Sequence, residues 1–542
     1  MKKFQSNILD VLNKSIFPGT LAVKNGRIVN INKTNEKFDT YIIPGFVDAH
    51  FHIESTMLVP SEYARIAASH GTIGAICDPH EIANVMGIEG VKFMLADAAK
   101  CPLKLYFSAP SCVPATEFET SGARLGPDKI EQLFKEFPLI KHLGEVMNFP
   151  GVIAGDPEVM QKIALAKKYN KQIDGHAPGL RGDELKKYVE AGITTDHESF
   201  TKEEALEKLA LGMKIWIREG SAARNFAELI SIANKHYDNC GFCSDDKHPD
   251  ELIKGYIDDM VRRAVKTGLD PMKVLQMACV NPVQHYGLEV GLLQKGDTAD
   301  FLIVDNLEQF HIIKTVINGE IVFADGKVTF PRHKTKIVNN FRTKCKNTND
   351  FAVKKESGEQ TLIEAIDGEV ITKKGKGKPG CNNGNLISNP NQDILKIVVV
   401  NRYKNKKPAV AFAKNFGLKK GAIASSVAHD SHNVIAVGVS DEEITSAVNL
   451  IIENKGGVCA VSKEEGIAEI LPLPVAGLMS NDSYERVTEK FQQVEEAVQK
   501  LGSHLNAPLM TLSFMALLVI PEIKLSDKGL FDSKKFEFIN KL

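Results

Sequence analysis

The chain has 542 residues, too many for one compact core, so we expect two or three domains. Its hydrophobic content of 43% and charged content of 25% are ordinary for a globular protein, and a net charge of −1 gives no reason to expect nucleic acid or a membrane surface as a partner. No segment is apolar for long enough to span a bilayer, and the first residues lack the apolar core of a signal peptide. The nine cysteines are scattered along the chain, which is typical of reduced thiols. We therefore predict a cytoplasmic protein.

The first predicted elements are two alternating strands within residues 20–32, on either side of an Asn-Gly dipeptide. Asn-Gly between alternating runs is a strong signal for a two-residue hairpin turn. A similar β pattern returns at residues 299–305 and 315–323. Because these two β segments flank a long region of different pattern, we predict one small composite β-sandwich domain formed by residues 1–43 and 292–340.

The next feature is the pair His50 and His52, which ends an apolar, strand-like run after Pro44. Side chains two residues apart point to the same side of a strand. Both imidazoles can therefore bind one metal ion, or two neighbouring ions, if the strand ends in a pocket. Taken alone, the pair is as well explained by two surface or core histidines.

Residues 44–291 alternate apolar strands with helical patterns. The predicted strands include residues 72–77, 103–108, 173–176, 194–197, 213–217 and 241–244. The alternation and the length predict an α/β fold, a (β/α)8 barrel inserted into the composite β domain. In such barrels the catalytic side chains follow the C-terminal ends of the strands.

Imidazole and carboxylate side chains follow the predicted strands in order. They are His50, His52, Glu145, His176, His197 and Asp245. These are the ligand types of a hydrolytic first-row metal site. Each residue is a weak signal alone, but an ordered set at successive strand ends strongly predicts a metal centre.

The third region, residues 341–542, is predicted to be a separate α/β domain. Its strands are expected at 394–400, 409–412 and 434–439, and its helices at 442–453 and 484–501. The Lys- and Gly-rich stretch 373–384 is interpreted as a solvated loop.

Longer motifs resemble a known family. The ordered ligand set, on a barrel inserted in a β domain, resembles the pattern of the amidohydrolase superfamily. Several longer stretches resemble one family within it, the bacterial and archaeal adenine deaminases. These stretches are residues 44–58, 78–84, 110–116, 144–151, 218–224, 428–433 and 471–479. The resemblance covers nearly the whole chain. It implies hydrolytic deamination of adenine to hypoxanthine and ammonia in purine salvage, by a hydroxide activated by two divalent metal ions, manganese or iron(II).

The resemblance also implies roles for the metal ligands. His50 and His52 would bind one metal with Asp245, and His176 and His197 would bind the second. Glu145 is the candidate bridging carboxylate, although many superfamily members use a carboxylated lysine, and Lys141 would lie on the same strand face. Asp245 is also the candidate general base that returns its proton to the leaving amine.

Other residues have two interpretations each. Glu219 and Glu198 are both candidates for protonating the purine ring, and spacing does not choose between them. Arg218 and Ser221 would orient the substrate, unless Arg218 belongs to a structural Arg–Glu pair. The remaining candidates are substrate contact or support of the ligands as against a helix-capping turn (His80, Glu81), a lid or extra ligands as against a polar turn at a helix start (His429, Asp430, His432), and orientation of a neighbouring residue as against a helix N-cap (Asp246).

A second enzymatic interpretation is hydrolysis of a cyclic amide, as in dihydroorotases and hydantoinases. It would use the same metals and fold but would not require the C-terminal domain. The expected partner is a small purine base, and we expect a homo-oligomer.

Overall fold

A computed structural model describes residues 1–355 and 358–541. The chain opens with four strands: β1 (Lys2–Asp10), β2 (Ser15–Lys24), β3 (Arg27–Lys33) and β4 (Tyr41–Pro44). Strands β2 and β3 pair antiparallel around Asn25 and Gly26, whose φ angles are +52° and +74°. Both positions need a left-handed backbone, which Asn and Gly adopt most readily, and the predicted hairpin is confirmed.

Eight parallel strands then form a closed barrel: β5 (Phe46–Phe51), β6 (Thr72–Cys77), β7 (Lys104–Phe107), β8 (His142–Val146), β9 (Gln172–Gly175), β10 (Thr195–Asp196), β11 (Lys214–Arg218) and β12 (Cys240–Cys243). Bridges Ala109–Leu143 and Phe51–Asp245 join the ladders into a ring, and Thr194 N–H donates to the Ile173 carbonyl at 3.0 Å. The sequences of these strands are nearly continuous apolar runs because both faces of the ring are covered. The predicted (β/α)8 fold is confirmed.

The barrel strands alternate with helices that cover the outside of the ring. These helices are α1 (Pro60–Ser69), α2 (His80–Met86), α3 (Ile88–Ala98), α4 (Pro127–Glu136), α5 (Phe149–Ala154), α6 (Pro157–Lys168), α7 (Gly182–Glu190), α8 (Lys202–Ala210), α9 (Phe226–Leu229), α10 (Ala233–His236), α11 (Pro249–Leu252), α12 (Ile257–Lys266), α13 (Pro271–Leu275) and α14 (Asn281–Tyr286). Among the described residues, no helix has the length and apolarity that crossing a membrane requires.

After the barrel the chain returns to the first sheet through β13 (Phe301–Val304), β14 (Ile312–Ile317), β15 (Glu320–Ala324) and β16 (Lys327–Val328). Strand β13 pairs antiparallel with β4, so both chain segments share one eight-stranded sheet in the order β16-β15-β14-β13-β4-β1-β2-β3. The sheet curls until Ala299 N–H donates to the Gly26 carbonyl at 2.8 Å. The curled sheet encloses a small core that includes Ile8, Leu21, Ile28, Phe301 and Val316.

The last region contains a second eight-stranded sheet and three helices. Its elements are β17 (Val353–Lys354), β18 (Gln360–Ala365), β19 (Thr372–Gly377), β20 (Gly380–Asn382), β21 (Asn385–Ile387), β22 (Ile394–Val400), β23 (Ala409–Lys414), β24 (Ala422–Ser425), β25 (Val434–Gly438), α15 (Asp441–Glu453), β26 (Gly457–Ser462), β27 (Ile467–Pro472), α16 (Tyr484–Lys500), α17 (Pro508–Phe514), β28 (Ile523–Ser526), β29 (Gly529–Asp532) and β30 (Glu537–Lys541). The order of the large sheet is β19-β18-β23-β22-β25-β24-β26-β27.

The expectation that residues 373–384 form a loop is wrong. Strand β19 pairs antiparallel with β18, and β20 pairs with β21. Thr372 and Gly375 are buried, whereas Lys373, Lys374 and Lys376 are exposed. Lysines are typical of an edge strand because their charge discourages pairing with another chain, so composition alone does not distinguish this edge from a loop.

The C-terminal region packs on the mouth of its own barrel. Ala222 and Ala223, which follow β11, share an apolar cluster with Val370, Phe514 and other C-terminal side chains. The Ser480 N–H donates to the carbonyl of Met57 at 2.8 Å. The third domain therefore covers the end of the barrel at which the strands' carboxyl ends lie.

Candidate active site

His50 and His52 lie where β5 reaches the barrel mouth, and both side chains are buried. Their Nε2 atoms are 3.1 Å apart. Asp245, two residues beyond the end of β12, places Oδ1 3.0 Å from His52 Nε2 and 3.7 Å from His50 Nε2. Two backbone hydrogen bonds hold this arrangement. The Asp245 N–H donates to the His50 carbonyl, and the His52 N–H donates to the Asp245 carbonyl.

Glu145, on β8, lies between two groups of histidines. Its Oε1 is 3.3 Å from His52 Nε2, and its Oε2 is 2.6 Å from His176 Nδ1 and 3.4 Å from His197 Nε2. Burial alone would raise the pKa of the Glu145 carboxyl, but the imidazoles, His176 foremost, outweigh it and hold that pKa well below its usual range. Each carboxylate oxygen therefore faces a different set of imidazoles, as a bridging ligand must.

Lys141, the other candidate for the bridging position, lies just before the N-terminal end of strand β8. It precedes the first residue of β8, four positions before Glu145. At about 3.3 Å per residue, this spacing separates the two backbone positions by roughly 13 Å along the strand. The geometry favours Glu145 as the bridge.

His176 follows β9 and His197 follows β10, and their rings contact each other edge to face with centroids 5.6 Å apart. Among the described residues, neither Nε2 atom has a hydrogen-bond partner, although both are buried. Leaving a buried polar atom without a partner costs about 1–3 kcal/mol. Unpartnered imidazole nitrogens beside a carboxylate are donors of the kind that a divalent metal ion binds, so the residues present fit such an ion.

Arg218, the last residue of β11, connects two acids at the mouth. Its Nη1 contacts both Glu198 Oε1 and Asp245 Oδ2, and all three side chains are buried. Burial would raise the pKa of Asp245, but the Arg218 charge and the neighbouring His52 hold it well below its usual range. The buried Arg–Glu pair is therefore present, and its members also line the cavity.

Glu219 and Ser221 do not reach this cavity, which corrects two expectations. The Glu219 carboxylate pairs with Arg263 on α12, because the residue after Arg218 points to the other side of the chain. The Ser221 hydroxyl donates to Glu251 Oε2 at 2.7 Å and accepts the His248 N–H at 2.9 Å. Of the two glutamates considered for ring protonation, only Glu198 lines the cavity.

His80 and Glu81 begin α2, but neither caps it. His80 Nδ1 is 3.6 Å from Glu145 Oε1, and its Nε2 is 3.8 Å from Asp430 Oδ1. Glu81 is fully buried and lies 3.3 Å from His429 Nε2. The capping interpretation of this pair is wrong; both side chains face the barrel mouth.

The 428–433 segment connects β24 to β25 and starts no helix, so the helix-start interpretation of it is wrong. His429 and Asp430 line the cavity, whereas His432 lies behind them, with Nε2 3.9 Å from Glu81 Oε2. Asp246 is likewise not an N-cap, because α11 is preceded by His248. Its Oδ1 instead accepts the Ser55 hydroxyl at 2.6 Å.

Apolar side chains from the C-terminal domain close the cavity from above. They are Val370, Phe514, Leu517 and Ile520, which face the polar floor formed by the barrel. Lys524 orders this ceiling, since its fully buried Nζ donates to the carbonyls of Val370 at 2.7 Å and Phe514 at 2.9 Å. A small molecule that has both apolar and polar surfaces suits such a lining.

Three supporting residues were missed from the sequence. Asp78 accepts the Glu145 N–H at 2.9 Å and the Ser108 hydroxyl at 2.7 Å. Tyr188 accepts the His176 N–H at 3.0 Å. Lys208 is fully buried against Asp196, the neighbour of His197. Asp78 directly precedes Pro79 and His80 at a strand end, which was a usable signal, whereas helical residues such as Lys208 gave none.

Comparison with protein families gives two matches. The amidohydrolase family matches residues 41–322, more than half of the chain. The adenine deaminase C-terminal domain matches residues 369–537. The chain therefore belongs to the amidohydrolase family, as the sequence predicted.

Individual relatives are similar over the full length. A protein from Sulfurovum sp. (strain NBC37-1) named adenine deaminase is 54% identical over 99% of both chains, and one of the same name from Methanosarcina mazei is 51% identical over 100% of this chain and 99% of its own. A solved β-aspartyl dipeptidase from Fervidobacterium islandicum AW-1 covers 60% of this chain and 97% of its own at 16% identity, with a TM-score of 0.46. Within the amidohydrolases, the chain belongs with the adenine deaminases.

Proposed function

We propose that the protein hydrolyses adenine to hypoxanthine and ammonia in purine salvage. Full-length similarity to two relatives named adenine deaminase supports the proposal. The observation that carries it is the cavity itself. Imidazoles and carboxylates form its floor, a buried Arg218–Glu198 pair forms one wall and apolar side chains form its ceiling.

The proposed cofactors are two divalent ions, manganese or iron(II). His50, His52 and Asp245 would hold one, His176 and His197 the other, and Glu145 would bridge them. When bound, such ions would lower the pKa of a coordinated water from about 15.7 to about 7, which supplies the nucleophile.

The chain's own residues would manage the protons. Asp245 would take one proton from the attacking water as the C6–O bond forms, and would return it to the departing amine when the C6–N bond breaks in the following step. Glu198 would deliver a proton to a ring nitrogen and recover one from the hydroxyl on C6 as that oxygen becomes the carbonyl of hypoxanthine, and Arg218 would hold both carboxylates in place through Nη1. His80 would contact the substrate or support Glu145.

The closed cavity supports a free base as substrate. The side chains of Val370, Phe514, Leu517 and Ile520 cover the polar floor, and a free base is smaller than a nucleoside by the whole ribose. We further propose that the protein is a cytoplasmic homo-oligomer.

The decisive experiment is ammonia release from purified protein loaded with manganese or iron(II). Adenine should yield ammonia and hypoxanthine in equal amounts, and adenosine should yield none. If adenine gave no ammonia while a hydantoin or a dihydropyrimidine ring opened, the cyclic-amide interpretation would replace this proposal.

A further inference from the structure

A second group of metal-binding side chains lies beside the centre just described. Glu81 at the start of α2, Asp246 after β12 and His429 from the C-terminal domain each place one ligand atom within 4.8 Å of the others. The three side chains, called here the Glu81 cluster, are buried, with exposed fractions of 0%, 6% and 3%. None of them belongs to the six-residue centre.

The spacing of the cluster suits a bound cation. His429 Nε2 lies 3.3 Å from Glu81 Oε1 and 3.7 Å from Asp246 Oδ1. Two ligands bound at about 2.0–2.2 Å, at angles between 90° and 110°, lie about 2.8–3.6 Å apart. The three donors therefore need little movement to share one ion.

The cluster contains two carboxylates and one imidazole, and few other groups contact the two acids. One hydroxyl, Ser55 Oγ, lies 3.1 Å from Glu81 Oε1 and 2.6 Å from Asp246 Oδ1, and it has a single proton for two carboxylates. Arg218 Nη2 is 3.8 Å from Asp246 Oδ2, but that guanidinium already contacts Glu198 and Asp245. A buried carboxylate without a compensating cation is costly.

Two unpartnered atoms lie next to the cluster. Within the part of the chain that the structure describes, Glu81 Oε2 and His432 Nε2 have no hydrogen-bond partner, and they lie 3.9 Å apart with both side chains fully buried. Glu54 adds a further buried carboxyl, whose Oε2 likewise has no hydrogen-bond partner among the described residues. One carboxylate oxygen of Glu81 is therefore left without a donor.

We propose that Glu81, Asp246 and His429 bind a third divalent cation, of the Mn²⁺, Fe²⁺ or Zn²⁺ type, at the junction of the barrel and the C-terminal domain. Two ligands come from the barrel and the third from the domain that covers it. His429 stacks on Phe514 with ring centroids 4.9 Å apart, and Phe514 forms part of the ceiling. The third cation therefore fixes the ceiling to the barrel.

The test is a metal count on the full-length protein. Protein stripped with a chelator is dialysed against MnCl₂, and the bound manganese is measured by mass spectrometry. Three equivalents are expected for the wild type and two for His429→Ala. Ser431→Ala, in the same segment and outside the cluster, is the matched control and should keep three. Diffraction at the manganese edge should show a third anomalous peak between Glu81 and His429.

A count of two in the wild type, with both ions at the six-residue centre, would overturn the proposal; the buried pair would then be an ion pair with protonated His429. Three equivalents in both His429→Ala and Glu81→Gln would overturn it as well. The glutamine variant keeps the shape of the side chain, so it decides the matter if the alanine variant does not fold. The count requires no substrate, and failure to deaminate adenine would leave it standing.

Discussion

Replacing Lys208 by methionine should weaken both the fold and the metal centre. Its Nζ lies 2.9 Å from Asp196 Oδ2 and 2.7 Å from Glu204 Oε1, and it donates to the Ala177 carbonyl at 2.8 Å. Ala177 follows His176 and Asp196 precedes His197. One ammonium group therefore fixes the backbone beside both histidines of the proposed second metal site.

The size of the expected loss of stability follows from the burial of this ion pair. Lys208 and Asp196 are both fully buried. Burial would raise the pKa of the Asp196 carboxyl, but the Lys208 charge more than offsets it and holds that pKa below its ordinary value. Methionine would leave the carboxylate buried and unpaired, and breaking a buried pair in this way costs about 3–5 kcal/mol. Methionine fills most of the same volume, so little of that loss would come from a cavity.

The measurement is urea unfolding of the wild type and the variant in chelator, because bound metal would add its own stabilisation. Manganese stoichiometry is then measured separately and should fall. The control is Lys186→Met, which removes an exposed ion pair with Asp183 and should change neither quantity measurably. A loss of stability below about 1 kcal/mol, together with normal manganese binding, would refute the reasoning.

Three further predictions follow from the site. Glu198→Gln should lower kcat for adenine by at least tenfold, about 1.4 kcal/mol in the barrier, whereas Glu219→Gln should change it little; equal losses would contradict the assignment of the cavity wall. His52→Ala should nearly abolish turnover and remove bound manganese, and full activity would rule out its role as a ligand. Burial lowers the pKa of Lys524 to about 7, whereas a lysine in the unfolded chain has a pKa of about 10.5. Between these two pH values Lys524 is protonated in the unfolded chain and neutral in the folded protein. The free energy of unfolding therefore rises with pH across this window, by up to about 5 kcal/mol. The difference in unfolding free energy between wild type and Lys524→Met should therefore shift with pH across that window, and a constant difference would show that Lys524 is charged in the folded protein.

Local patterns predicted much of the fold. The Asn25-Gly26 turn and strand β6 were predicted from alternation, turn chemistry and apolar runs alone. The order of His50, Glu145 and His176 along the chain predicted a shared site, because parallel barrel strands present their carboxyl ends at one mouth. Residues 373–384 were missed because an edge strand rich in lysine has the composition of a loop.

The sequence by itself determined the barrel, the ligand types and the family, since periodicity, spacing and long motifs are properties of neighbouring residues. Only the tertiary structure decided which side chains share a cavity. Glu198 and Glu219 look alike in sequence, yet one faces Arg218 inside the cavity and the other pairs with Arg263 outside it. His429 is 348 residues from Glu81 and still lies 3.3 Å from it. Such contacts depend on how two domains pack, and no local pattern encodes that packing.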